Sequence, residues 1–324
     1  MILNNIGRGS CNRAALNGFA TLQFTRRLTT PSPSSELFAT SDTLPTIRDK
    51  LRKLGHGSID FTPDYRPGIG LVQLNNPARH NAMSGVMMSQ LADLTDQLEL
   101  QPNDLAGLIV IGSQPSKAFC AGLDLSTAKE HLLTPVAGVA FGRLMHDTLS
   151  RFSRLPLVTV ASIGYPALGG GAEISTACDF RVLAPTSRIQ FLQSRMAIAP
   201  AWGATGRLVH LIGRAKALQY LGTSAPISAE VGSQIGLVDR VCDISPDPHT
   251  SCLEESVRFL SSFTHDEKGN RVSPRAIQGI KKLIAQTDGP EDIEYDMNVL
   301  SQLWGSEENL RAVLGGGSKR SKTQ

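Results

Sequence analysis

Three stretches of this chain carry residue types and spacings that could do chemistry. In Leu168-Gly169-Gly170-Gly171-Ala172-Glu173, three consecutive glycines precede a carboxylate. Three bare backbone units in a row cost conformational entropy, so something must need the unobstructed main chain. N–H groups presented at the start of a helix can face a developing negative charge; a tight turn or close helix packing would use the same glycines. The stretch is not a phosphate loop, since no Lys-Ser/Thr follows and the GxGxxG spacing is missing. Upstream, Lys117-Ala118-Phe119-Cys120-Ala121-Gly122-Leu123-Asp124-Leu125 again uses small residues where backbone could approach a ligand. A third stretch, Leu74-Asn75-Asn76-Pro77-Ala78-Arg79-His80-Asn81-Ala82-Met83, contains Arg79. Its guanidinium suits phosphate oxygens, and an ordinary surface charge is the plain alternative. Lys281 and Lys282 are weaker phosphate candidates on a late helical pattern.

Positioning these stretches requires a rigid scaffold, and the pattern of the chain supplies one. Ile69 to Leu74, Gly107 to Gly112 and Leu157 to Ala161 are short runs rich in branched residues, as strands are. Ser84 can cap a helix whose apolar positions Met87, Leu91, Leu94 and Leu98 recur at helical spacing. Val136 to Arg151 and Gly170 to Cys178 read as further helices. Strand, helix, strand order predicts right-handed β-α-β winding and an α/β core, with a mainly helical part from Trp202 onward.

Taken together, in this order and spacing, the three stretches resemble the enoyl-CoA hydratase/isomerase, or crotonase, superfamily. The likeness runs from about Gly57 into the helical C-terminal part. Within it, Gly57-Ser58-Ile59-Asp60, Ser84-Gly85-Val86-Met87-Met88, Ala177-Cys178-Asp179-Phe180-Arg181, Pro200-Ala201-Trp202-Gly203 and Trp304-Gly305 look like the branch that decarboxylates ethylmalonyl-CoA. The resemblance implies a crotonase-type spiral of β-β-α turns, homotrimers or dimers of trimers, an acyl-CoA substrate, and no metal or redox cofactor, coenzyme A arriving with the substrate. It implies conversion of ethylmalonyl-CoA to butyryl-CoA, and of methylmalonyl-CoA to propionyl-CoA, as metabolite proofreading. Carried over residue by residue, it implies an oxyanion hole formed by the N–H groups of Leu123 and Gly170. Arg79, Asn81, Ala82 and Met83 would lie along the CoA chain with Lys117 and Ala121 near it, and Asp124 and Leu125 would flank the adenine. Glu173 falls where hydratases place one of two catalytic glutamates. The second would fall at Arg195, so the pair needed to activate water and donate a proton is broken. Hydration should be poor, and decarboxylation through an enolate remains. Burial near Ala172, Ile198 and Trp202 would keep Glu173 protonated and able to deliver a proton to the enolate carbon. Arg195 is a candidate for handling the substrate's free carboxylate, directly or through the charge of Glu173; an arginine turned outward or paired with an acidic neighbour is the plain alternative. The alternative is an enoyl-CoA isomerase or another acyl-CoA enzyme of the same fold; a thioester hydrolase is disfavoured by the lack of a Ser-His-Asp arrangement near these stretches.

Composition bounds the rest. A chain of 324 residues, 41% hydrophobic, can bury a large core. A net charge of +3 with no Lys/Arg stripe argues against nucleic acid, although some members of this fold have been linked to RNA. No run approaches the length of a membrane span. Cys11, Cys120, Cys178, Cys242 and Cys252 are scattered with no CxxC pair, which argues against a disulfide framework or zinc and for a reducing compartment. Residues 1–40 read as a flexible or targeting leader: Arg8, Arg13, Arg26 and Arg27 occur with no acidic residue before Glu36, and Pro31 to Ser35 form a joint. The cytosol is the expected compartment, with the mitochondrial matrix as the alternative. Residues 57–205 are expected to be the spiral core, 206–314 the helical part and 315–324 a flexible tail.

Overall fold

The computed structural model describes residues 37–287. The leader up to Glu36, the Trp304-Gly305 pair and the 315–324 tail lie outside the described residues. Those described fall in one compact unit.

The chain enters through α1 (Leu44–Leu51), capped by the Thr43 hydroxyl, and then forms an antiparallel hairpin of β1 (Ser58–Arg66) and β2 (Ile69–Asn75). Next comes α2 (Gly85–Leu100), at whose start Ser84 Oγ accepts the Met87 N–H at 3.4 Å; Met87, Leu91, Leu94 and Leu98 are its buried stripe. After it follow β3 (Gly107–Gly112), α3 (Leu125–His131), α4 (Pro135–Phe152) and β4 (Val158–Ile163). Then come β5 (Ala167–Leu168), α5 (Gly170–Ser175), β6 (Phe180–Leu183) and β7 (Arg188–Gln190). The remainder is α6 (Ala204–Ile212), α7 (Arg214–Thr223), β8 (Ile227–Ser228), α8 (Ala229–Gln234), β9 (Arg240–Val241), α9 (Pro248–Thr264) and α10 (Pro274–Gln286). The sequence pattern placed a helix through Cys178, but α5 ends at Ser175. The Ser175 and Thr176 hydroxyls donate to the Ala172 and Glu173 carbonyls, side-chain bonds that compete with continued helix.

Two sheets run through the spiral. The larger has the order β1-β2-β3-β4-β6-β9, parallel from β2 onward, and the smaller is β5-β7-β8. Parallel bridges Met83–Leu123 and Cys120–Ala167 carry the second layer beyond its named strands. Each turn therefore lays one strand in the large sheet and one segment in the small layer, the arrangement of a crotonase spiral. Every residue of β3 and β4 is buried, which explains their unbroken apolar reading: helices cover both faces. One apolar cluster lies against α2 and α4, and a second against α9, where Phe180 meets Phe259 edge-on and Phe263 at a tilt. The part from 206 onward is woven into the same layers, β8 beside β7 and β9 beside β6.

The last described helix is tied to elements much earlier in the chain. Gln278 of α10 donates to the carbonyls of Asn103 and Leu105, and Lys281 donates to the Ser153 carbonyl and pairs with Asp179. Lys281 is thus buried and committed to the fold, not free for a phosphate. Its sequence neighbour Lys282 is only half-buried.

Candidate active site

The spiral brings the three stretches together. Asn81, fully buried, does most of the tying: its amide donates to the Ser113 and Ala118 carbonyls, and its Oδ1 accepts from the Asn76 N–H and Ser113 hydroxyl. That side chain is wholly engaged within the protein, and it shapes the loop from within. Met83 N–H then donates to the Gly122 carbonyl at 2.7 Å, and Asp124 N–H to the Met83 carbonyl at 3.0 Å. The Asp124 carboxylate caps α3 by accepting the Ser126 and Thr127 N–H groups, and it is buried. Its neighbour Leu125, by contrast, is exposed.

Between these pairings the N–H of Leu123 is left over. It donates to no protein acceptor among the described residues, and neither does the N–H of Gly170 at the start of α5. The two loops touch: a Cβ added to Gly122 would stand 2.8 Å from the Gly170 nitrogen and 3.0 Å from the Leu168 carbonyl oxygen, and Gly122 sits at φ +95°. The glycine run has a similar cause. Gly169 has φ +52°, a Cβ on Gly170 would meet the Trp202 ring at 2.3 Å, and one on Gly171 would meet the Cys120 carbonyl at 2.2 Å. Cys120 itself is a packing residue whose thiol burial pushes up to about 12, too weak an acid to be a nucleophile.

Glu173 is 3% exposed, one turn into α5. Its Oε2 accepts the Trp202 N–H at 2.9 Å and its Oε1 accepts from the Gln193 amide at 2.8 Å. Burial raises its pKa above the ordinary 4.5 against the lowering effect of these bonds, the Ala204 N–H and the Arg207 charge. Ile198 is 62% exposed and does not shield it; the shielding falls to Trp202 and Ala172, both buried. Arg207 of α6 bonds the Trp202 carbonyl at 2.7 Å, the Glu173 carbonyl at 3.3 Å and the Thr176 hydroxyl at 3.2 Å. Burial brings its guanidinium down to about 10. Gln193 and Arg207 escaped the sequence reading because nothing local separates them from surface residues. Gln193 Oε1 is buried without a protein partner, an acceptor available to a proton on Glu173 should the amide turn over.

The remaining expected ligand residues sit at the rim. Arg79, at the end of a short 3-10 turn (Pro77–Arg79), and Lys117 are exposed, Ala121 is half-buried, and Ala82 is buried. Arg195 is exposed on a second 3-10 turn (Ser194–Met196), in the loop that joins Gln193 to Trp202. Among the described residues no group of His, Cys, Asp and Glu is placed to hold a metal ion.

Comparison with known proteins places this geometry. The mouse protein named ethylmalonyl-CoA decarboxylase is 38% identical over 270 residues, 82% of this chain and 80% of its own length. The human protein of that name is 38% identical over the same span, covering 84% of its length. Among solved structures, an enoyl-CoA hydratase from Bacillus anthracis superposes with a TM-score of 0.68 at 25% identity, over 81% of this chain and 96% of that one. DspI of Pseudomonas aeruginosa shares the fold with a TM-score of 0.68 at 22% identity, over 84% and 98% of the two chains. The enoyl-CoA hydratase/isomerase family model matches residues 64–265, the span that holds both loops, the glycine run and Glu173. The chain belongs to the enoyl-CoA hydratase/isomerase family.

Proposed function

We propose that the protein decarboxylates ethylmalonyl-CoA to butyryl-CoA, and methylmalonyl-CoA to propionyl-CoA less well. The observation that carries the reading is the pair of unpartnered N–H groups, Leu123 and Gly170, on two touching loops beside one buried carboxyl group. The mouse and human relatives support it. With the thioester oxygen on these donors, the bond from the α-carbon to the carboxylate breaks, its electron pair moves into the enolate and CO2 leaves. Each preorganised donor lowers such a barrier by about 2.7–4 kcal/mol. Glu173, whose hold on a proton burial strengthens, gives that proton to the α-carbon and recovers one from solvent. The chemistry calls for no metal or redox cofactor, because the thioester itself accepts the electron pair.

Addition of water needs two positioned carboxyl groups, and by the resemblance the place of the second falls to Arg195, which is exposed. We assign Arg195 to the substrate carboxylate, and exposed Arg79 and Lys117 to the CoA phosphates, with Leu125 at the adenine and the main chain of Ala82 and Ala121 along the pantetheine arm. The working form is a homotrimer or a pair of trimers in the cytosol, where stray carboxylase products need removal. An isomerase would use the same enolate and one carboxyl group, and is the second reading. Incubation of the purified protein with a panel of acyl-CoAs, following CO2 release, tests the choice. Hydration of crotonyl-CoA or double-bond migration without CO2 release from either malonyl thioester would reject the decarboxylase.

A further inference from the structure

The Trp202 indole lies directly against the glycine run. A Cβ on Gly170 would stand 2.3 Å from Cζ3, 2.5 Å from Cη2 and 3.0 Å from Cε3. The carbon edge of the six-membered ring is therefore in van der Waals contact with the Gly170 Cα, one bond from the donor nitrogen. The ring is 3% exposed, and its residue is pinned on both sides. The Trp202 N–H goes to Glu173 Oε2 at 2.9 Å, and the Trp202 carbonyl accepts from Arg207 at 2.7 Å. Arg207 reaches back to the Glu173 carbonyl, so the carboxyl group, the indole and the donor loop form one rigid unit. The indole is also part of the main apolar cluster, so the wall it forms is backed by the core. The loop that carries it is otherwise made of small or exposed residues, Ala197, Ile198, Ala199, Pro200 and Ala201.

We propose that the Trp202 indole is the wall that reads the branch on the substrate's α-carbon and sets its upper size. The inference rests on the decarboxylase reading and deepens it. A thioester oxygen held by the Gly170 N–H at a normal hydrogen-bond length puts the carbonyl carbon about 4 Å from that nitrogen and the α-carbon one bond further. The ring edge is fixed beside the same residue. A methyl or ethyl branch turned toward Gly170 then meets the apolar carbon edge of the ring. A longer branch must displace a ring whose backbone is tied to Glu173 and Arg207. Close-packed walls of this kind discriminate by about 10-fold to 200-fold per methylene.

The test is CO2 release from a graded series, methyl-, ethyl-, propyl- and butylmalonyl-CoA, by the wild-type protein and by Trp202→Phe and Trp202→Leu. The wild type should lose about tenfold or more in kcat/KM at the first methylene that meets the ring. Both variants should raise the ratio of propylmalonyl-CoA to ethylmalonyl-CoA by about tenfold or more. A ratio unchanged within about twofold, with all substrates falling together, makes Trp202 a packing residue and overturns the inference while the decarboxylase reading stands. No CO2 from any member with wild-type protein removes that reading first. A second measurement leaves the Trp202 side chain intact. Only Trp202 and Trp304 are present, so Trp304→Phe leaves one reporter. Its emission should shift with butyryl-CoA and not with free coenzyme A; an unchanged emission at saturation by both ligands overturns the inference.

Discussion

Replacing Glu173 by glutamine separates its chemistry from its structural bonds. In Glu173→Gln, the amide oxygen still accepts the Trp202 N–H, and the new amide group faces Gln193, whose own oxygen is buried and unpartnered in the native protein. One turnover of the Gln193 amide restores a hydrogen bond. The variant should stay within about 1 kcal/mol of wild-type stability, as neutral exchanges that keep their partners do. Glu173→Ala strands the Trp202 N–H and the Gln193 amide, at about 1–3 kcal/mol for each buried orphan, so it should cost about 2–6 kcal/mol. If neutral Glu173 protonates the enolate, Glu173→Gln loses about 100-fold to 10,000-fold in kcat for CO2 release despite its intact fold. The assays are CO2 release under saturating ethylmalonyl-CoA and thermal unfolding of the same samples. A glutamine variant within about threefold of wild-type kcat would refute the acid role and leave Glu173 as the anchor of Trp202. The pH dependence adds a check. Burial raises the folded pKa above 4.5, so the native state holds a proton that the unfolded chain releases. The stability this provides is complete below the unfolded value and is lost as pH rises through the folded one. Activity that needs the neutral form should fall across the same upper limb, and Glu173→Gln should flatten the corresponding part of the stability profile.

Gly122→Ala would place a methyl group 2.8 Å from the Gly170 nitrogen at φ +95°; we expect kcat to fall about 100-fold or more with about 1–3 kcal/mol of strain, read by turnover and denaturant melts. Asn81→Ala removes a side chain with four buried hydrogen bonds and should lower stability by about 3 kcal/mol or more, with turnover lost only in proportion to unfolding. Arg195→Ala should leave thermal stability within about 0.5 kcal/mol, as exposed sites do, yet weaken malonyl-type thioesters well beyond butyryl-CoA in a binding titration; equal weakening of both would return Arg195 to the surface. Residues 1–35 fused to a fluorescent protein should leave it cytosolic, and strict mitochondrial import would overturn that assignment.

The strands and helices legible in the sequence were those whose burial is written in local periodicity. The wholly buried β3 and β4 read as continuous apolar runs, and α2 showed both its serine cap and its stripe. The first strand was not read, because Ser58–Arg66 is half-exposed along its length and carries Asp60, Asp64 and Arg66. At the site, the glycine run and Gly122 were visible because their chemistry is in the main chain. The side-chain bonds of Asn81 and Lys281 were not legible because their partners are distant: Asn81 reaches carbonyls 32 and 37 positions away, and Lys281 one 128 positions away. Arg207 and Gln193 were missed by the same limit, since only the assembled core distinguishes a buried polar side chain from a surface one.

The ties of α10 bear on how this chain is made. Gln278 is fastened to carbonyls 173 and 175 positions earlier, and Lys281 to an aspartate 102 positions earlier. Contacts so distant in sequence form slowly, because a long stretch must be ordered before they can reward it. During translation, the turns bearing the donor loops leave the ribosome well before the helix that clasps them. At about 5–20 residues per second that interval lasts several seconds. Through it, the carbonyls of Asn103 and Leu105 and the Asp179 carboxylate wait without their final partners. These last side-chain ties close only once residues 274–286 have been made.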